Sequence, residues 1–221
     1  MKHKQEFRLV RWLVILAGAA VLVLASFYLD DATRLWVTEH QNAGARVFMR
    51  AVSQYGDWPE HVALGVILLT LAWTRGSKPW IRIFAAMIVA CALAGIGARA
   101  VKIATGRPRP NVQIESGWKG PRLSSRFNSF PSGHTAASIA FFATLVFGGW
   151  RIAAGLLFIP LLIAFSRLYV GAHYLSDAVV GAVIGVLAAY WVAQWMRLSI
   201  ENRKPARSAS RNDAGGSKIE N

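Results

Sequence analysis

Residues 128–150 read NSFPSGHTAASIAFFATLVFGGW. A polar quartet, Pro-Ser-Gly-His at 131–134, opens directly onto an apolar block, 134–150, that contains no acid, lysine or arginine. Ionisable chemistry is thereby set at the mouth of a membrane helix. Five further apolar blocks follow the same style, at 10–29, 61–73, 81–101, 152–168 and 174–196. A hydrocarbon layer of about 30 Å takes roughly 20 apolar residues to cross. The blocks therefore predict an all-α polytopic membrane protein, a bundle of six transmembrane helices formed by residues 1–200.

The first block has a competing reading as a secretory signal peptide, because Lys2, Lys4, Arg8 and Arg11 precede it. Its apolar run is longer than a usual signal core, the sequence ASFYLDD offers a poor cleavage site, and more spans follow. A spanning helix is expected instead. Pro160, inside the fifth block, predicts a kink or a loosening there. The single cysteine, Cys91, has no partner for a disulfide or a thiolate metal site and reads as core. Residues 201–221 are polar and basic, and predict a disordered cytoplasmic tail.

A net charge of +14 raises the question of nucleic acid, but the distribution of charge answers it. With a cytoplasmic amino terminus, fourteen of the 25 lysines and arginines fall in cytoplasmic positions. That is the positive-inside pattern. The first outer loop, 30–60, carries five acids against three bases. The charge is topological, and nucleic acid is not an expected partner. One outer segment breaks the rule, since residues 99–126 hold seven bases against Glu115 alone.

Helices three to six then run up, down, up and down. Lys102 and Arg109 follow the outer end of the third, while Ser132, Gly133 and His134 open the fourth. Arg167 closes the fifth, and His173 and Asp177 begin the sixth. Four distant stretches are thus expected at one membrane face. Three permanent cations there, two of them arginine forks, suit a tetrahedral oxyanion. Gly133 admits close backbone approach, Ser132 offers a hydroxyl, and the unpaired amides of a helix start favour an anion.

The histidines distinguish holding phosphate from cutting it. His173 and Asp177, four residues apart, share a helix face, so the carboxylate can fix the imidazole tautomer. The neutral ring can then attack phosphorus, while His134 protonates the leaving group and afterwards deprotonates water. The cations would stabilise charge on the equatorial oxygens. No cofactor and no metal are expected, because three cations would repel a zinc ion from the His-His-Asp set. His3, His40 and His61 belong to no cluster and are given no role.

KIATGRPRP (102–110), PSGH (131–134) and SRLYVGAHYLSD (166–177) together resemble the three motifs of the type 2 phosphatidic acid phosphatase family. The resemblance covers about half the chain. It implies a six-helix, metal-independent membrane phosphatase acting on lipid phosphate or diphosphate esters. It also implies that His173 is the nucleophile, Asp177 its orienting partner and His134 the acid and then base. Lys102, Arg109, Ser132, Gly133 and Arg167 would bind the phosphoryl group. Arg107 lies outside the motif and reads as a headgroup contact. Vanadium-dependent haloperoxidases share the motifs, but they are mostly larger and soluble.

A pocket at the outer boundary favours an amphiphile with its phosphate at headgroup depth. The expected substrate is undecaprenyl diphosphate, phosphatidylglycerophosphate or phosphatidate, with lipid A phosphatase or lipid phosphotransferase as the alternative. The expected location is a bacterial inner membrane with both termini cytoplasmic and the site on the periplasmic side. The bilayer and the lipid substrate are the expected partners, and no obligate protein partner is evident.

Overall fold

The computed structural model describes residues 2–112, 117–196 and 198, so the tail expected to be disordered lies outside them. Among the described residues there are eight α-helices and no strand: α1 (Lys2–Tyr28), α2 (Asp30–Glu39), α3 (Ala43–Tyr55), α4 (Trp58–Thr74), α5 (Lys78–Thr105), α6 (Gly133–Phe147), α7 (Phe158–Tyr169) and α8 (Leu175–Trp195). Four helical segments are long and apolar enough to cross a membrane, namely Leu9–Tyr28, Lys78–Thr105, Ile152–Tyr169 and Leu175–Trp195. The apolar blocks at 61–73 and 134–150 form α4 and α6, which have 17 and 15 residues. At about 1.5 Å per residue, α6 covers roughly 22 Å, less than a full hydrocarbon layer.

The stretch 30–60 is not a loop. It forms α2, α3 and the start of α4. Asp30 and Asp31 occupy the first turn of α2, where carboxylates complement the exposed amides. Asn42 caps α3 by accepting from Ala45 N at 2.8 Å, and Asp57 caps α4 by accepting from Trp58 N at 2.8 Å. These helices are short and half polar, which is why hydropathy passes over them.

Pro160 produces no mid-helix kink. Arg151–Leu157 winds as a 3-10 helix and becomes α7 at Phe158, so the proline lies in the first α-helical turn. Its missing N–H costs nothing there, because first-turn amides have no intrahelical acceptor.

The core is organised around α6, which packs against α5 and α8 most extensively and also against α4 and α7. Every residue from Thr135 to Leu145 is buried. The hydroxyls it brings inside are satisfied locally: Ser138 Oγ donates to His134 O at 2.6 Å and Thr144 Oγ1 to Ala140 O at 2.7 Å. Small residues let the backbones approach. A Cβ on Gly181 of α8 would lie 2.5 Å from Ser132 O and 3.3 Å from Thr135 Cβ, so only glycine fits that crossing. Cys91 packs with Met87 and Phe141 in this core.

α1 stands at the periphery, touching α8 through an edge-on contact of Trp12 with Tyr190 at 5.5 Å. Its apolar side chains, including Leu13, Leu16, Val21 and Leu24, remain exposed. An apolar band of that size requires a hydrocarbon solvent rather than water.

α5 runs to Thr105, longer than the block 81–101, and ends at Gly106 in the left-handed conformation (φ 59°). A Cβ there would collide with Gly120 O at 1.9 Å. The reversal at Gly106 turns the chain back over the helix ends. The returning segment is pinned by Lys119 N to Gly106 O (3.2 Å), Arg122 N to Ile103 O (2.9 Å) and Ser129 N to Arg107 O (3.0 Å).

Candidate functional site

α5, α6, α7 and α8 bring their motif-bearing ends together beneath this returning segment. Lys102 sits in the last turn of α5, not beyond it. It is buried, its Nζ donates to Asn128 O at 3.0 Å, and its Cε lies 3.6 Å from where a Gly133 Cβ would stand. A side chain at 133 would therefore press on the ammonium. Ser132 caps α6: its Oγ accepts from Thr135 N at 3.4 Å and from Thr135 Oγ1 at 2.9 Å, leaving its own proton free to donate. Ser132 N in turn donates to Asp177 O at 2.8 Å, tying the start of α6 to the first turn of α8.

Arg109 lies in the returning segment, its backbone fixed by Arg109 N to Arg126 O at 3.0 Å. Burial pulls its guanidinium below the ordinary arginine range, with Asp177 opposing. Arg167, in the last turn of α7, donates to Ser53 Oγ of α3. The Nε atoms of both arginines are buried without a hydrogen-bond partner. Buried unpaired donors of a cation cost roughly 1–3 kcal/mol or more each, and a tetrahedral oxyanion is the guest that satisfies them.

His173 does not lie on α8, as an i, i+4 helical pair requires. It precedes the helix, whose N-cap is Tyr174. The turn still brings its Nδ1 to 3.4 Å from Asp177 Oδ2, with both side chains almost fully buried. Burial pushes the His173 imidazole down to about 4, with Lys102 and Arg167 adding to the effect and Asp177 opposing it. The ring is neutral at physiological pH. His134, in the first turn of α6, has its Nδ1 3.5 Å from Asp57 Oδ1, the cap of α4. Arg167, His173, Lys102 and Arg109 all lie within electrostatic range of it.

Lys102, Arg109, Gly133 and His134 line a cavity of about 610 Å³ that continues along α5 past Ile96, Gly95 and Cys91. One end is cationic and the other apolar. His173 lines a separate, smaller cavity of about 180 Å³ with Asp30, Gln41 and Asn111. Among the described residues no cluster of three or more His, Cys, Asp or Glu has metal-binding spacing.

Residues 83–201, more than half of the chain, match the PAP2 superfamily. The chain belongs to the PAP2 superfamily. The resemblance read from the three motifs and this match agree. Over 96 residues, 41% of this chain, it is 38% identical to a protein named Lipid A 1-phosphatase from Rhizobium johnstonii, matching 38% of that protein. A protein of the same name from Rhizobium etli is 36% identical over 96 residues, with 40% of its length matched. The chain thus spans about two-fifths of the length of these curated relatives. Among solved structures, Aquifex aeolicus LpxE superposes with a TM-score of 0.58 at 25% identity, covering 74% of this chain and 93% of that one. A PAP2-type phosphatidylglycerolphosphate phosphatase from Bacillus subtilis gives a TM-score of 0.65 at 17% identity, covering 84% and 95%, and shares the fold.

Several residues that contact the motif side chains are not evident from the motifs alone. Arg107, expected as a headgroup contact, points inward to Asp177, with Nη1 donating to Oδ1 at 2.7 Å. Ser129 Oγ donates to Asp177 Oδ2 at 2.5 Å. Asp57 and Asp30 come from the stretch read as a loop. The doubled arginine of GRPRP and the aspartates at two helix starts were the available signals. His61 stays outside the site, with its Nδ1 2.6 Å from Asp57 O and its ring edge on Phe141 and Phe142.

Proposed function

We propose that this PAP2 protein is an integral membrane lipid phosphatase that works through a phospho-histidine. The observation that carries the proposal is that Lys102, Arg109 and His134 line the polar end of an apolar cavity, with Arg167 and His173 close enough to act electrostatically on His134. With Nδ1 of His173 turned to Asp177, Nε2 is the nucleophile. It attacks phosphorus and the P–O bond to the leaving group breaks. The leaving oxygen takes a proton from His134, whose imidazole Asp57 orients. His134 then takes a proton from water as that water attacks phosphorus, the P–N bond breaks, and inorganic phosphate leaves with neutral His173 restored. Lys102, Arg109, Ser132, Gly133 and Arg167 hold the equatorial oxygens throughout.

The bilayer-facing reading extends this scheme. Six helices (α1, α4, α5, α6, α7 and α8) cross the membrane, α4 and α6 as the shorter ones. The amino terminus is cytoplasmic and the site opens to the outer side of a bacterial inner membrane, in keeping with the distribution of Lys and Arg. The substrate is a lipid phosphate monoester or diphosphate whose chains follow the apolar wall of α5. The names of the Rhizobium relatives favour lipid A 1-phosphate. Undecaprenyl diphosphate, phosphatidylglycerophosphate and phosphatidate remain in the same chemical class.

The test is phosphate release by the purified protein in detergent with EDTA, compared across those four lipids. Release that survives EDTA, with one lipid preferred, is the expected outcome. Collapse of release in EDTA overturns the metal-free scheme. Appearance of the phosphoryl group on a second lipid in place of free phosphate identifies a phosphotransferase.

A further inference from the structure

Asp30, in the first turn of α2, is a buried carboxylate in a segment outside the PAP2 match, and the reaction scheme does not use it. Its partners are unusual for a surface helix. Oδ2 accepts from Arg107 Nη2 at 2.7 Å and from Ser176 Oγ at 2.6 Å, while Oδ1 accepts from Ser176 N at 2.8 Å. The other nitrogen of the same guanidinium, Nη1, donates to Asp177 Oδ1 at 2.7 Å and to Ser176 Oγ at 2.7 Å. The guanidinium is roofed by the Tyr174 ring at 4.1 Å, with Trp118 at 5.4 Å and Phe27 at 5.6 Å. Aromatic faces of this kind exclude water and attract the cation.

Each carboxylate therefore takes one nitrogen of the fork. Asp177 is fully committed: Arg107 holds Oδ1, while Ser129 Oγ and Tyr174 N hold Oδ2, the oxygen that faces His173 Nδ1 at 3.4 Å. A buried ion pair by itself contributes little net stability, because desolvation offsets the attraction. What a rigid bidentate network of this kind does provide is orientation.

We propose that Asp30 is a positioning residue for the phosphatase site, holding Asp177, and through it the His173 ring, by an Asp30–Arg107–Asp177 chain of charged hydrogen bonds. The amino-terminal helices thereby complete a site whose motif residues all lie in the PAP2 region. The inference rests on the phosphatase reading, since it is measured through turnover.

The experiment measures kcat and KM for phosphate release by the full-length protein carrying Asp30→Asn, in otherwise wild-type and in Asp177→Asn backgrounds, with thermal unfolding and monodispersity checked for each. Asp30→Asn is expected to lower kcat about 10- to 100-fold with KM within about threefold. In the Asp177→Asn background the same change is expected to alter kcat less than about twofold, because residues acting as one unit are non-additive. Wild-type kcat in Asp30→Asn overturns the proposal, and so does an equal fold-loss in both backgrounds. If Asp30→Asn does not yield folded protein, Arg107→Lys, which keeps the charge but loses the fork, is read in the same two backgrounds by the same criteria. Wild-type protein that releases phosphate from none of the lipids removes the phosphatase reading itself. Active wild type with an unaltered Asp30→Asn removes only the positioning role.

Discussion

In the proposed scheme His173 is the nucleophile, and its surroundings favour the neutral ring that this role needs. Burial, with Lys102 and Arg167 nearby, holds its ring at about 4, below the ordinary 6.5. A base whose pKa is lowered stays unprotonated down to that lower value, so the nucleophile is lost only as pH falls through it. The acid limb of kcat/KM is accordingly expected below about pH 5, and a limb centred near the ordinary histidine value would contradict the buried, cation-flanked ring. Replacing His173 by Ala is expected to lower phosphate release by at least ~10³-fold with membrane insertion unchanged, measured on protein of matched purity. Arg167→Ala, which removes a cation from the seat while leaving both histidines, is expected to cost about 10²–10³-fold in kcat. The motif residues themselves were legible in the sequence, since ionisable groups are conspicuous at the ends of apolar blocks. Arg107, Asp30 and Asp57 were not. Each contacts a partner 70 to 77 positions away, Arg107 meeting Asp177, Asp30 meeting Arg107 and Asp57 meeting His134, and only the fold reveals which partner that is.

At the level of elements, the site depends on how closely α6 and α8 cross. Gly181 faces Ser132 O, the carbonyl of the residue that caps α6 and that the proposed scheme places against the phosphoryl group. Gly181→Ala places a methyl 2.5 Å from that oxygen and must separate the two helices or tilt the cap. Overpacking of this kind costs roughly 1–3 kcal/mol, so the variant is expected to unfold several degrees below wild type and to lose kcat as well, read by thermal unfolding and by phosphate release. An unchanged Tm would mean the crossing is looser than the structure shows. The apolar blocks announced the long helices well, because hydrocarbon burial demands uninterrupted apolar length. α2 and α3 were missed for the converse reason. They are short and half polar, and the cap of α3 at Asn42 is a local signal that a hydropathy reading does not register. The 3-10 start of α7 was likewise hidden inside an apolar block, where composition does not separate one helix type from another.

On the scale of the whole molecule, cationic groups from the end of α5 and from the segment after Gly106 line the polar end of one pocket, while α1 and the outer faces of other helices present apolar side chains. The arrangement separates a wet reactive end from an oily body, which is what a lipid substrate with one phosphorylated end requires. The central claim is that a single phosphoryl group lies within reach of both histidines and passes through His173. The most direct measurement is mass spectrometry of protein quenched in alkali during turnover, where phospho-histidine survives. The account predicts a phosphoryl adduct on the peptide containing His173, which accumulates in His134→Ala and is absent from His173→Gln. Steady turnover with no adduct on that peptide in either wild type or His134→Ala would contradict it.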